Sequence, residues 1–439
     1  MAFAHHVKSL LLNDISSISL HPEPFVNNPG RDFTRNRKLS LQNIMEFYIS
    51  MESGTLQHEL LKYFYFRSDT ATVSAFHQQR SKLKPEVFLH LLKRFNSHFQ
   101  PQTYKELYRL IACDGSEFNI FLNENDPDSY YPPSGKSKRG FNMLHVIPLY
   151  DILSRCYLDV ELQPIRLKNE FRAFCTLMDR SSDYSGEAKP IFIADRGFCS
   201  YNVFAHAIEN HAYFLIRAKD VYVSRLIGED VLSKELDISL QRILCRTQSR
   251  KKWLHPESAE LYKFVCANID FDYISEESPE YPIHLRVVRF KVSEDSYENI
   301  ITNLPEDEFP PEELKTLYNL RWGIELSFRD LKQTIATEQF HCKNRNYIGM
   351  EIYARMLLYN FCSFITAQVI IDKKDTKHIY QVNYSMAIKI CHEFLSAYRG
   401  FSIAVESLIG GFLLPIRPGR KYERRKRLQP PARFSYRFI

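Results

Sequence analysis

The sequence predicts a mixed α/β fold, in which a central sheet is flanked by helical regions at both ends. Residues 104–220 begin with several strand-like segments and continue with alternating helices and strands, which is the order of a mixed sheet. Residues 1–103 carry apolar side chains at the three- and four-residue spacing of helices. Residues 221–310 are rich in strand-like segments again and predict a β-rich insertion.

The predicted core begins with "YRLIACDGSEFNIFL", which indicates a strand, a turn at Asp114-Gly115 and a second strand. Two further strands follow in "GFNMLHVIPLYDI" and "YLDVELQPI", and then a helix in "KNEFRAFCTLMDR". The strand "PIFIADRGF", the helix "SYNVFAHAIENH" and the strand "AYFLIRAKD" complete this part of the sheet.

The regions on either side are expected to be helical. Within residues 1–103, Arg80, Lys82 and Lys84 lie near a predicted turn and suggest a module that reads DNA, although many helical bundles share this pattern. Prolines at 305–311 mark a linker into a helix that we place within residues 311–345. Residues 346–439 predict further helices and then a basic tail.

Charge favours a nucleic acid as partner. The chain of 439 residues has a net charge of +6 and a pI near 8.7, and Pro415–Ile439 alone carries nine Lys or Arg against one Glu. Such a tail attracts polyanions, with nucleic acid favoured over an acidic membrane. The alternative is a solvated terminus that only aids solubility.

Composition also argues against several classes of protein. The nine cysteines form no CxxC pair, which argues against a disulfide framework and a zinc cluster. No apolar run of 18 residues occurs without polar interruption, and the first residues lack the features of an export signal. We therefore expect a cytoplasmic protein without membrane association.

One predicted helix, "LYNLRWGIELSFRDLKQ", has two different faces. At 100° per residue its apolar stripe comprises Leu317, Leu320, Ile324, Phe328, Leu331 and Ile335. A neighbouring polar stripe comprises Tyr318, Arg321, Glu325, Arg329 and Lys332. A solvated face with i,i+4 ion pairs would show the same pattern, so this stripe alone does not identify a site.

Three acidic residues suggest metal chemistry. Asp114 and Asp195 each end an apolar strand, and Glu325 lies among the basic residues of the two-faced helix. Carboxylates crowded together need a counter-charge, which two hard cations such as Mg²⁺ or Mn²⁺ supply. Two metal ions can promote phosphodiester cleavage while neighbouring basic side chains hold phosphates. For each aspartate alone, a structural turn is the competing interpretation.

The spacing Tyr318-x2-Arg321-x3-Glu325-x6-Lys332 resembles the YREK signature of bacterial insertion-sequence transposases of the DDE class. The segments "CDG" at Asp114, "ADRGF" at Asp195, "ITNLP" and "RWGIE" also look like this family. The resemblance extends from about residue 39 to about residue 361.

This resemblance implies a ribonuclease-H-like core with a β-rich insertion before the glutamate helix. Asp114, Asp195 and Glu325 would be the catalytic residues and would bind two Mg²⁺ ions, with Mn²⁺ as a substitute. Tyr318, Arg321 and Lys332 would hold terminal phosphates of DNA, with assistance from Arg329.

The family's activity, by the same resemblance, is cut-and-paste transposition. The partners would be double-stranded DNA, as terminal inverted repeats and as target, and a second copy of the chain in a homodimer. The location would be the bacterial cytoplasm, at the nucleoid. Two alternatives stay open: a host-adopted nuclease with the same fold, and a DNA-binding repressor without catalysis.

Three further residues have competing interpretations. Trp253 is the only tryptophan of the insertion and follows Arg250, Lys251 and Lys252, so it could stack on a DNA base or simply pack. His145 and His341 could bind metal, but each is isolated in the sequence, which favours structural roles.

Overall fold

A computed structural model describes residues 3–134, 139–181, 186–247, 260–294, 296–335, 339–371, 379–396 and 404–416. Its centre is an 11-stranded mixed sheet, which confirms the predicted mixed α/β class. The strands are β1 (Tyr108–Cys113), β2 (Ser116–Ile120), β3 (Tyr130–Tyr131), β4 (Phe141–Asp151), β5 (Cys156–Pro164), β6 (Lys189–Ala194), β7 (Tyr213–Ala218), β8 (Leu236–Cys245), β9 (Tyr262–Phe264), β10 (Glu280–Ser293) and β11 (Ser296–Thr302). A separate two-stranded sheet pairs β12 (Tyr380–Val382) with β13 (Leu413–Pro415).

The sheet has two parts that join without a break. In the first part the strand order is β5–β4–β1–β6–β7, with β1, β6 and β7 parallel and β4 antiparallel to β1. The second part continues as β11–β10–β8–β9, because β11 pairs antiparallel with β7. The strands of residues 221–310 therefore extend the same sheet. Only Tyr262–Phe264 of the strand-like segment "YKFVCANIDFDYI" forms a strand.

The expected turn at Asp114-Gly115 is wrong. Cys113 pairs with Leu149 and Ser116 with Val146, so β1 and β2 follow β4 in one unbroken register. The chain does not reverse here, because β4 is long enough to pair with both strands in succession. Asp114 and Gly115 only interrupt the ladder.

Thirteen α-helices lie among the described residues: α1 (Phe3–Leu20), α2 (Leu41–Ser50), α3 (Leu56–Tyr63), α4 (Val73–Arg80), α5 (Glu86–Asn96), α6 (Glu170–Asp179), α7 (Tyr201–Glu209), α8 (Asp220–Ile227), α9 (Pro311–Leu320), α10 (Trp322–Arg329), α11 (Arg345–Thr366), α12 (Tyr384–Ser396) and α13 (Val405–Gly411). Ser40, Thr55 and Thr72 cap α2, α3 and α4 through their side-chain oxygens, as helix N-termini require. Helices α1 to α5 all lie within residues 1–103, the region that the sequence predicts to be helical. None of these helices is long and apolar enough to cross a membrane.

Helices cover both faces of the core strands. Phe174 of α6 contacts Phe192 of β6, with ring centroids 5.8 Å apart. Tyr359 of α11 contacts Tyr150 of β4 on the opposite face. The faces differ because Phe192 pairs with Ile111 and Tyr150 with Ala112, and side chains alternate along a strand.

The N-terminal helices and the long helix α11 share one core. Phe99, just after α5, stacks on Phe364 of α11 with centroids 4.0 Å apart, and Phe95 contacts the same ring. The buried residues of these helices and of the sheet belong to a single apolar cluster. Helix α11 thereby connects the N-terminal helices to the sheet.

Candidate active site

Asp114 and Asp195 emerge side by side from neighbouring parallel strands. Cys113 of β1 is the register partner of Ala194 of β6, so the next residue of each strand is one of the two aspartates. Adjacent strands lie about 4.8 Å apart, which brings the two carboxyl groups to the same level. In each aspartate Oδ1 accepts a backbone N–H, from Gly115 at 2.9 Å and from Gly197 at 2.7 Å.

Glu325 is brought to the aspartates by a helix that is not continuous. The expected single helix divides into α9 and α10 at Arg321, and a π-helical turn at Asp330–Thr334 follows α10. At the division, the amide of Arg321 donates to the Tyr318 carbonyl at 3.1 Å, a three-residue step tighter than that of an α-helix. Irregular helical turns of this kind are frequent at functional sites.

The apolar stripe of this segment is buried as expected at Leu317, Ile324, Phe328, Leu331 and Ile335. Leu320 is the exception, with 38% of its surface exposed. It directly precedes the tight turn at Arg321, where the regular helical geometry that placed it on the stripe ends.

Arg321 connects two of the three carboxylates. Its Nη2 lies 2.8 Å from Glu325 Oε1, and its Nη1 lies 3.7 Å from Asp114 Oδ2. The Arg321 side chain is only 8% exposed, whereas Asp114 and Glu325 are 23% and 32% exposed, so these ion pairs are partly shielded from water. In the described chain, the three carboxylates do not form a set of ligand atoms that all lie within 4.8 Å of one another. The positive charge of Arg321 balances part of the negative charge of Asp114 and Glu325 at these distances.

Burial and neighbouring charges perturb the acidity of Asp114. Burial raises its pKa to about 6, and the negative charges of Asp195 and Glu325 act in the same direction. Arg321 and the hydrogen bond from Gly115 oppose this increase. The site therefore accumulates negative charge that a cation would relieve.

The carboxylate oxygens of this cluster suit a hard divalent cation. Backbone amides occupy one oxygen of each aspartate, and Arg321 occupies one oxygen of Glu325. The remaining oxygen of each residue is a ligand of the type that Mg²⁺ and Mn²⁺ prefer. The donor set thus fits such ions, and phosphodiester chemistry is what it supports.

Tyr318 and Lys332 have different surroundings. Tyr318 is buried, and its pKa is raised by burial and by negative charge that includes Asp195. The Nζ of Lys332 donates to the Glu117 carbonyl and lies 4.5 Å from the ring centroid of Phe118. Tyr318 is therefore within electrostatic reach of Asp195, and Lys332 contacts β2, the strand that begins two residues after Asp114.

Arg329 and Trp253 are the other two residues expected to bind DNA. The side chain of Arg329 is 58% exposed, and its Nη2 lies 3.9 Å from Asp330 Oδ1. Trp253 lies outside the described residues.

Sequence reasoning missed a polar pair on the other side of Gly115. His145 Nε2 lies 2.9 Å from Glu170 Oε1, and a Cβ on Gly115 would fall 2.6 Å from the same nitrogen. His145, although isolated in the sequence, therefore has an acidic partner in the fold, which fits the structural role that the sequence favours. Only the pairing of β2 with β4, which places Glu117 opposite His145, could have indicated this neighbourhood.

His341 has a different environment. It is buried, and its Nδ1 lies 2.9 Å from Glu351 Oε2 while its Nε2 lies 3.1 Å from the Gly54 carbonyl. These contacts connect α11 to the loop between α2 and α3.

Comparisons with known proteins show similarity to transposases. Over 173 residues the chain is 24% identical to a Sinorhizobium fredii protein named as a transposase, y4zB, which covers 39% of this chain and 42% of y4zB. Over 58 residues it is 36% identical to the Escherichia coli transposase for insertion sequence element IS421, covering 13% of this chain and 16% of that protein. The chain thus spans less than half the length of these relatives.

Among solved structures, a piggyBac transposase synaptic complex with hairpin DNA overlaps 95% of this chain and 87% of that chain. The sequences are 10% identical and the TM-score is 0.45, an overlap that does not by itself assign a fold. The family comparison is more extensive, because residues 105–361, more than half of the 439, match the family described as transposase DDE domain. The chain therefore belongs to the DDE-domain transposase family.

Proposed function

We propose that this protein is a DNA transposase of an insertion sequence, which cuts and rejoins phosphodiester bonds at the ends of its element. The observation that carries the proposal is the pairing of Cys113 with Ala194, which puts Asp114 and Asp195 side by side at the ends of parallel strands. Arg321 adds Glu325 to this pair through its two ion pairs. The family match over residues 105–361 supports the same chemistry.

Asp114, Asp195 and Glu325 would hold two Mg²⁺ ions, with Mn²⁺ as a substitute. Such ions, when bound, activate an attacking oxygen and stabilise the leaving oxygen of the phosphodiester. The chain itself fixes the carboxylates: Gly115 and Gly197 hold one oxygen of each aspartate in place through their amides. Burial of Asp114 then keeps water away from one side of the site.

The spacing of Tyr318, Arg321, Glu325 and Lys332 is the basis for proposing a YREK-type site. Arg321 would serve as counter-charge for the acids before DNA binds and as a phosphate ligand afterwards, because a guanidinium pairs equally well with carboxylate and phosphate. Lys332 and Tyr318 would hold further phosphates beside the acids. Arg329 is exposed and available to DNA nearby.

The strand order β5–β4–β1–β6–β7 supports a ribonuclease-H-like core, with residues 221–310 as an insertion that lengthens the sheet. We propose residues 104–220 and 311–345 as the two parts of that core. The N-terminal region 1–103 and the C-terminal region 346–439 would contribute DNA contacts. Cut-and-paste transposition by a homodimer on paired element ends is the reaction we propose for the whole protein.

The deciding experiment incubates purified protein with a plasmid that carries the gene's native flanking DNA, with and without Mg²⁺. The wild type and Glu325→Gln are compared with Glu312→Gln, which removes an exposed carboxylate from the preceding helix α9. We expect Mg²⁺-dependent cuts at the flanks for the wild type and Glu312→Gln, and none for Glu325→Gln.

The other outcomes identify the alternatives. Binding to the flanks without cutting by any of the three proteins would favour a repressor. Mg²⁺-dependent cutting that ignores the flanks would favour a nuclease. Equal cutting by Glu325→Gln and the wild type would remove Glu325 from the active site.

A further inference from the structure

A second group of potential metal ligands lies far along the chain from the acidic site. Glu52 follows α2, and His392 and Glu393 belong to α12. One ligand atom from each of these side chains lies within 4.8 Å of the other two. Among the described residues, this is the only such group of three His, Cys, Asp or Glu side chains.

The imidazole of His392 is fixed by the backbone. Its Nε2 lies 3.0 Å from the carbonyl oxygen of Ser50, which accepts hydrogen bonds only, so Nε2 carries a hydrogen. Its Nδ1 faces Glu52 Oε1 at 3.4 Å. His392 is 7% exposed, whereas the Glu52 side chain is 41% exposed, so the contact is open to water on the Glu52 side.

Two acceptors cannot face each other at this separation without a positive charge between them. Either a proton on Nδ1 or a metal ion satisfies the contact between His392 and Glu52. A tetrahedral ion with bonds of about 2.0–2.2 Å spaces its ligand atoms about 3.3–3.6 Å apart, and the observed 3.4 Å lies within this interval.

The surroundings leave room for a metal ion. Lys62 binds Oε2 of Glu52, which leaves Oε1 for another partner. Glu393 is exposed and can turn toward the group. A cavity of about 290 Å³, lined by His392, Glu393 and Lys62 among others, adjoins it and can hold a water molecule as fourth ligand.

We propose that Glu52, His392 and Glu393 bind one Zn²⁺ ion, which links α12 to the chain segment after α2. An imidazole nitrogen with two carboxylates suits Zn²⁺, whereas the acidic site offers oxygens alone and suits Mg²⁺. The two sites would therefore select different ions. This proposal does not depend on the transposase reaction.

The test is titration of the full-length metal-free protein with Zn²⁺ in excess Mg²⁺, followed by calorimetry, and with Co²⁺, followed by visible absorption. Excess Mg²⁺ occupies the acidic site. We expect one equivalent of Zn²⁺ to bind, with a Co²⁺ spectrum of four-coordinate type. Glu393→Gln, an exposed change that should leave the fold intact, is expected to weaken binding about tenfold or more, and His392→Gln further.

His206→Gln is the matched control. Both ring nitrogens of His206 already lie within 2.8 and 2.9 Å of Asp179 and Asp272, so no nitrogen is free for a metal. Its loss should leave Zn²⁺ affinity unchanged. The proposal is overturned if the wild type binds no Zn²⁺ in excess Mg²⁺, or if Glu393→Gln and His392→Gln bind it as tightly as the wild type; Glu52 and His392 then form an ion pair only.

Discussion

Asp114 and Asp195 occupy equivalent positions on two hydrogen-bonded parallel strands, each one residue beyond the register pair Cys113 and Ala194. Their proximity is therefore built into the backbone of the sheet and does not depend on flexible side chains. Because side chains of paired residues point to the same face, a shift of one residue between β1 and β6 would separate the two carboxylates. The acidic site thus depends directly on the pairing of these two strands.

The first prediction concerns Asp195. Asp195→Asn removes a negative charge while the amide oxygen can still accept the hydrogen bond from Gly197. We expect cleavage to fall by more than about 100-fold, since the charge that would hold the metal is lost, while binding to element ends is retained. Cleavage and gel-shift assays on the same DNA measure both properties.

Asp307→Asn is the control, because Asp307 is exposed and lies just before α9, which does not carry any of the three acids. A variant of Asp195 that loses DNA binding as well as cleavage would contradict the proposed role.

The second prediction concerns stability in the absence of metal. Burial raises the pKa of Asp114 to about 6 in the folded protein, above its ordinary value of 3.8, so the folded state binds this proton more tightly. Stability therefore falls as pH rises from about 4 to about 6 and stays low above that range. Asp114→Asn should raise the free energy of unfolding at pH 8 by about 1–3 kcal/mol and have little effect below pH 4.

Urea unfolding in the presence of a chelator, at both pH values, measures this difference. Asp307→Asn should change neither value appreciably, because its carboxyl group is exposed. If Asp114→Asn were as stable as the wild type at pH 8, Asp114 would not carry a destabilising charge.

The sequence was sufficient to predict those features of the candidate site that depend on local residue pattern. Apolar runs that end in Asp114 and Asp195 are strand ends, and helical periodicity puts Arg321 and Glu325 on one face. The mixed sheet could be predicted for the same reason, since strand and helix periods differ.

The pairing register between strands that are distant in sequence could not be predicted from local residue pattern. The pairing of β2 with β4 brings His145 near Gly115, and nothing local in either segment specifies that neighbourhood. The same limit explains the wrong turn at Asp114-Gly115: an Asp-Gly pair is frequent in turns, but pairing with the long strand β4 keeps this chain extended. Local propensity is overridden where a neighbouring strand supplies continuous hydrogen bonds.

The third prediction concerns Lys332. Lys332→Ala should weaken binding to element ends and reduce the slope of log K against log salt concentration by about 1, because one phosphate contact is lost. Lys315→Ala is the matched control, since Lys315 lies on α9 and its Nζ donates to the Lys291 carbonyl instead. Fluorescence anisotropy at several salt concentrations measures both slopes. Identical slopes for the two variants would exclude Lys332 as a phosphate ligand.

The fourth prediction uses two glycines of the site that differ in their surroundings. A Cβ on Gly115 would lie 2.6 Å from His145 Nε2 and 2.8 Å from Glu170 Oε1, so Gly115→Ala must displace the buried His145 or its partly exposed partner Glu170 beside Asp114. We expect a loss of about 1–3 kcal/mol in the free energy of unfolding, together with reduced cleavage.

Gly323→Ala provides the comparison within the same site. A Cβ there would lie 3.7 Å from Tyr150 Cε1, an ordinary contact, and alanine favours helix α10 over glycine by up to about 1 kcal/mol. Gly323→Ala should therefore leave stability equal or higher and preserve cleavage. Equal behaviour of the two variants in urea unfolding and cleavage assays would mean that the close approach of His145 and Glu170 to Gly115 does not constrain the position of Asp114.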